Sequence, residues 1–251
     1  MVNLSRNSQS FLENLRLYLI SSGKEEKEVH SIVEELEDHL MEAEARGKTV
    51  DHIVGESPKE YMKQLSNEMN TNSRSLFKVM VIIVLGTLSF SILTNAVKGE
   101  LSYSLLEMIG TVAVSLVLIF SIGSVFKYMA AANLSKRKEY GLYYLMGMLP
   151  IVLFVGLIYL NHLIDTPIFE FGRYGTVITV IVTLGFLIGV SFWSKTWVVL
   201  IMLALLVLPD YVITFVELKP STEIVLSSSI TFGGIAIYLL VTYRMTKHQS
   251  N

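Results

Sequence analysis

Apolar positions along the chain follow two patterns that change over near residue 75. Before that point they recur at helical spacing with charged residues between them, and after it they run on for lengths that cross a bilayer. Residues 8–22 set Phe11, Leu12, Leu15, Tyr18 and Leu19 on one face of a helix that Ser21-Ser22-Gly23 ends, with Gly23 just past the cap. A second helix is predicted from Lys24 to about Arg46. Val29, Ile32, Val33, Leu36, Leu40 and Ala43 hold its apolar stripe, and acids fill the other face. Glu25, Glu26 and Glu28 suit its positive end, and Arg46 with Gly47 suits its finish. Val50, Ile53 and Val54 predict a short helical turn. Ser57-Pro58-Lys59-Glu60 then reads as N-cap, first-turn proline and capping box for a last helix carrying Tyr61, Met62, Leu65 and Met69 on one face. Residues 1–70 thus form a small helical module, and polar residues 71–75 are expected to join it to the apolar part of the chain as a hinge.

Six membrane spans are predicted, at about 77–97, 105–126, 143–164, 174–193, 196–216 and 223–243. Arg74, Lys78, Lys127, Lys136, Arg137, Lys138, Lys195, Arg244 and Lys247 flank one side of them, and only Lys98, Arg173 and Lys219 the other. Because loops rich in Lys and Arg stay in the cytoplasm, the expectation is that the module and the short tail at 245–251 are both cytoplasmic. The fold class expected is all-α: a small cytoplasmic helical module, then a six-helix transmembrane bundle over 76–244, in the cell membrane.

Composition agrees with a membrane chain and divides at the same place. Apolar residues make up 52% of the chain, and the mean hydropathy is +0.53. Residues 1–75 carry nine Lys/Arg against fourteen Asp/Glu, a net of −5, whereas 76–251 carry eleven against eight, a net of +3. There is no cysteine, which excludes disulfides, thiolate nucleophiles and cysteine-bound zinc. The first long apolar run begins near Leu76, too late for a cleavable signal peptide.

Candidate chemistry is sparse. Glu35, His39 and Glu42 share a helix face, but their order is not a zinc-hydrolase motif, and a solvated acidic face is the favoured reading. In the membrane part the polar candidates are Glu107, His162, Asp165 and Asp210, the last following Pro209. An ionisable group costs about 2.5–3.5 kcal/mol at mid-bilayer on insertion scales, so each needs an account. Seven of the eight acids after residue 76, Glu139 being the exception, fall on the side poor in Lys and Arg. Gly185-x-x-x-Gly189 and Gly233-Gly234 permit close helix approach. The stretch 127–140 is read as a loop whose Lys136-Arg137-Lys138 is already explained as a determinant of topology, with contact to anionic lipid or the acidic module as the alternative. No Gly-rich phosphate loop, serine elbow or paired-histidine site occurs. The expectation is a protein that is not an enzyme and uses no cofactor or metal.

Phe11-Leu12-x-x-Leu15, Glu34-Glu35-Leu36-x-x-His39-Leu40, Gly47 and Ser57-Pro58-Lys59-Glu60-Tyr61 together resemble the HAAS signalling domain of Bacillota, and the membrane part resembles the transmembrane region that accompanies it. Many relatives carry Leu-Gly-Asp/Asn-Pro before the last helix, where this chain has Gly55-Glu56-Ser57-Pro58. The resemblance implies a signalling role, a gene beside a PadR-type transcription regulator, and no established catalytic residues. The expected function is a membrane-anchored regulatory protein whose module binds a cytosolic protein such as that regulator, with no direct contact to nucleic acid. Its expected contact face is Glu34, Glu35, Asp38, His39 and Glu42, which favours a basic partner. The alternative is a transporter or permease component that uses Glu107, His162, Asp165 and Asp210.

Overall fold

The computed structural model describes residues 4–55, 57–97, 99, 101–132, 134–213, 215–216 and 219–249, without the side chains of Pro220 and 246–249. Glu56, Lys98, Glu100 and Glu217 lie outside the described residues. The protein is an all-α membrane protein. Its elements are α1 (Arg6–Ser21), α2 (Glu26–Ala45), α3 (Val50–Val54), α4 (Pro58–Glu68), α5 (Ser73–Val97), β1 (Ser102–Ser104), α6 (Leu105–Ala131), α7 (Lys136–Leu163), β2 (Ile168–Glu170), α8 (Gly172–Trp193), α9 (Val198–Ile213) and α10 (Pro220–Gln249). They divide into two compact units, one of residues 1–84 with 110–164 and one of 85–109 with 165–251.

In the first unit, α1 to α4 enclose one core. Ser5 caps α1 by accepting the Ser8 backbone N–H, and the five apolar positions predicted for that helix are all buried. Helix α1 ends because Gly23 takes φ +77, letting its N–H reach the Ile20 carbonyl at 2.9 Å while Lys24 N–H reaches that of Leu19 at 3.2 Å. Gly47 ends α2 in the same way with φ +75. Ser57 caps α4 through the Glu60 N–H, with Pro58 in the first turn. Leu15, Leu19 and Leu40 are fully buried at the centre, with Val29, Leu36, Met62 and Met69 around them. The ring of Phe11 meets that of Tyr61 edge-on at 6.1 Å.

This core also takes in a residue from the membrane part. Ala130, near the end of α6, is buried within it, and Ala131 packs on its margin. Lys127 lies over the Tyr18 ring, 5.1 Å from its centre. The end of a membrane helix thus covers one edge of this core.

Residues 71–75 differ from the expected hinge. Asn72 caps α5 by accepting the Ser75 N–H at 3.0 Å, so 73–75 already belong to the helix. Lys24 Nζ donates to the Met69 carbonyl at 2.8 Å and to Thr71 Oγ1 at 3.0 Å, and Thr71 forms an antiparallel bridge with Lys24. Asn72 Nδ2 donates to Glu25 at 3.3 Å. These bonds tie the connection to the α1–α2 turn.

Helices α5, α6, α7, α8 and α10 are long and apolar enough to cross a membrane. Helix α9, within the fifth predicted span, has 16 residues and covers about 24 Å, less than the roughly 30 Å of hydrocarbon. Exposed aromatics mark both ends of α8: Tyr174 and Trp193 are separated by 19 positions, about 28 Å of helix, which suits two interfacial belts. The stretch read as a loop over 127–140 is mostly helix. Only 132–135 separate α6 from α7, and Lys136, Arg137 and Lys138 form the first turn of α7.

In the second unit, β1 pairs antiparallel with β2 in the register Ser102–Glu170, Tyr103–Phe169 and Ser104–Ile168. Helix α9 packs on α8 and on α10, with Gly234 of α10 so close to Leu205 that a Cβ there would meet the leucine side chain at 2.6 Å.

Candidate functional site

Helix α2 turns opposite faces to the core and to solvent. Val29, Leu36, Leu40 and Ala43 are buried, while Glu34, Glu35, Asp38, His39 and Glu42 are all exposed. Two of the acids are locally balanced: His30 Nε2 lies 3.3 Å from Glu34, and Arg46 pairs with Glu42. Among the described residues no ion pair engages Glu35, Asp38 or His39. Glu35 and Glu68 both bear on Tyr61, whose hydroxyl is pushed up from its ordinary pKa chiefly by burial and then by those two charges. Among the described residues no three His, Asp or Glu side chains are grouped to hold a metal.

Glu44, on the same helix but outside the predicted face, does structural work that sequence did not reveal. Its carboxylate accepts the Ser5 backbone N–H at 2.8 Å and the hydroxyl of fully buried Ser8 at 2.5 Å. Hydrogen bonds from the Ser5 and Ser8 side chains and the Ser5 backbone hold Glu44 below the usual carboxylate range. A depressed folded-state pKa means stability that is present above the unfolded value and lost as pH falls through the folded one. Thermal unfolding of the full chain in detergent should therefore show Glu44→Gln less stable than wild type at neutral pH. The gap should shrink toward zero on acidification below the ordinary carboxylate range. A gap unchanged by pH would contradict it.

The membrane candidates each have local partners or stand alone. Glu107 is the third residue of α6, and its own N–H donates to Ser104 Oγ at 2.9 Å. Its carboxylate in turn accepts the Ser104 backbone N–H. Ser104-Leu105-Leu106-Glu107 is thus a reciprocal capping box, a signal present in the sequence but passed over. The Pro167 carbonyl accepts the Leu105 N–H at 2.9 Å, and Thr166 Oγ1 accepts that of Leu106 at 3.3 Å. The orphan donors at the start of α6 are thereby satisfied by the α7–α8 connection and the β ladder, as a low-dielectric setting requires. Asp210, half-buried beside Pro209 in α9, accepts a hydrogen bond from the Ser227 hydroxyl of α10. His162 lies in the last turn of α7 and Asp165 comes just after that helix, exposed. No hydrogen bond or ion pair among the described residues joins any two of Glu107, His162, Asp165 and Asp210.

A second polar cluster went unpredicted. The buried Tyr103 hydroxyl accepts Asn95 Nδ2 at 3.1 Å and lies 3.4 Å from Ser91 Oγ. The Tyr103 ring stands edge-on to Phe171 at 6.3 Å. Like Glu107, this cluster fastens β1 to its neighbours.

Residues 87–207 match the family model of the HAAS transmembrane region. The chain carries a HAAS-type transmembrane region. The matched stretch takes in part of α5, all of α6, α7 and α8, both strands and the larger part of α9. With five apolar helices of spanning length, the chain is a multi-pass membrane protein. Neither the curated proteins nor the solved structures provide a significant match to it.

Proposed function

We propose that this HAAS-type chain is a membrane-anchored regulatory protein whose module binds a cytosolic protein through the acidic face of α2. The observation that carries the reading is the division of that helix. Its apolar stripe is used up in the core, while Glu34, Glu35, Asp38, His39 and Glu42 stand together in solvent. Such a face favours a partner with a basic surface and speeds its encounter. A transcription regulator of the PadR type is the partner proposed, on the family resemblance. The Lys/Arg distribution supports a cytoplasmic module and tail, given six crossings; that parity rests on α9. The role proposed is non-enzymatic. The transport alternative draws less support, because Glu107 and Asp210 are each engaged in a local hydrogen bond.

The test uses the full chain, cross-linked in its own cells and purified in detergent. Wild type should recover a DNA-binding regulator. Combined Glu34→Lys, Glu35→Lys, Asp38→Lys and Glu42→Lys should reduce that recovery at least about tenfold, as expected when like charges meet across an interface. Recovery untouched by the charge reversal, or no regulator in the wild-type sample, would end the proposal.

A further inference from the structure

The second unit contains an apolar slot of about 610 Å³, bounded by α5, α8 and α9. Leu93 and Ala96 contribute from α5, Val180 and Leu184 from α8, and Leu200 and Leu208 from α9. Of the residues around it only Thr176 and Tyr211 have polar side-chain atoms. Both occur at one end. Thr176 is in the first turns of α8, Tyr211 is in the last turn of α9, and the two helices run antiparallel across the turn at 194–197. From Leu200 to Tyr211 the α9 wall extends roughly 16 Å along the helix axis.

A slot of this kind between apolar helices cannot be usefully filled by water, which needs two to four polar partners. Left empty, its walls would forgo their dispersion contacts. The polar end has a charge as well. Arg173 precedes Thr176 by three residues and Val177 by four, so it falls on the α8 stripe that lines the slot, one turn before the lining begins, and it is exposed. Thr176 is already committed: its hydroxyl donates to Gly172 at 2.8 Å and accepts Leu101 N–H at 3.0 Å. The guanidinium is the cation that stands at this end of the stripe, and its fork matches a phosphate.

We propose that this slot is a phospholipid site, with one acyl chain between α5, α8 and α9 and the lipid phosphate on Arg173. The occupant comes from the surrounding bilayer. This site lies wholly in the second unit and is independent of the partner proposed for the module.

The experiment uses the full-length protein, delipidated in detergent, supplied with dioleoyl phosphatidylglycerol, and read by native mass spectrometry. Wild type should retain one phospholipid per chain after detergent exchange. Ala204→Trp, which fills the slot from α9, should reduce retention about tenfold or more, since a packed wall cannot absorb the added rings. Arg173→Gln, a surface change that leaves the slot intact, should reduce it about tenfold, the worth of a charge-assisted hydrogen bond. Oleate, a tail without a phosphate, should be held about equally by wild type and Arg173→Gln. Circular dichroism identifies any filled variant that has lost its helices, and Val180→Trp then takes its place. Wild type retaining no lipid, a helical filled variant retaining as much as wild type, or Arg173→Gln retaining phospholipid undiminished would each overturn the proposal.

Discussion

Leu40→Ala should cost about 3 kcal/mol and open the helical module while the membrane helices stay protected. Leu40 is fully buried, and it lies in one core with Leu15, Leu19, Met62 and Met69. Truncation removes the side chain's transfer energy and leaves a cavity that rigid helical neighbours cannot close. The consequence is large because the module is small. At about 0.05–0.15 kcal/mol per residue, a domain of this size has only some 3–10 kcal/mol to lose. Trypsin applied to the full chain in detergent supplies the readout, since Lys24, Arg46, Lys48 and Lys59 all lie in the module. Cleavage there should accelerate about a hundredfold when it tracks the open population, as 3 kcal/mol implies. Unchanged cleavage would mean that the α1–α4 core does not hold the module together.

The second large effect is expected at Gly23. Its φ of +77 is the left-handed conformation, which costs an alanine roughly 1–2 kcal/mol. A Cβ built there would also meet the Leu76 side chain on α5, but that side chain is exposed and its end can swing aside at small cost. Gly23→Ala should therefore destabilise the first unit by about 1–2 kcal/mol, chiefly through the backbone, in thermal unfolding of the detergent-solubilised chain. Leu76→Ala in the same chain should relieve the small contact part and leave the backbone part. The double variant should thus be less damaged than the sum of the two singles. Strict additivity would show that the turn and α5 do not touch in solution.

Much of the first unit was legible because local signals agreed with one another. The apolar stripe of α1, the glycines after α1 and α2, and the Ser57-Pro58 start each specify a piece of backbone without help from distant residues. What stayed hidden depends on partners far along the chain. Nothing in Ser102-Tyr103-Ser104 announces pairing with Ile168-Phe169-Glu170, since three-residue strands carry no usable period and their central residues lie 66 positions apart. Ala130 is an ordinary small residue at a helix end, and only its position in space makes it part of a core.

The candidate residues divide along the same line. Exposure of Glu34, Glu35, Asp38, His39 and Glu42 could be read from helical spacing, because a stripe of leucines on one side dictates solvent on the other. The surroundings of the membrane acids could not. Asp210 meets Ser227 only because α9 folds back on α10, and a lone serine gives no warning of that. Glu107 is the exception, for Ser104 stands three residues before it and an apolar run comes after. Attention to its charge hid its simpler task of starting a helix.

Burial of Ala130 among the residues of α1 to α4 has a consequence for the order of events on the ribosome. The first 69 residues emerge well before residue 130, and at about 5–20 residues per second the delay is several seconds. During that interval the nascent module has its helices but lacks the alanine that covers one edge of its core. Completion waits until α6 has been made and threaded into the bilayer. A chain whose second membrane helix fails to insert would consequently leave that apolar edge of the amino-terminal module bare to solvent. Surveillance enzymes could recognise the insertion error there.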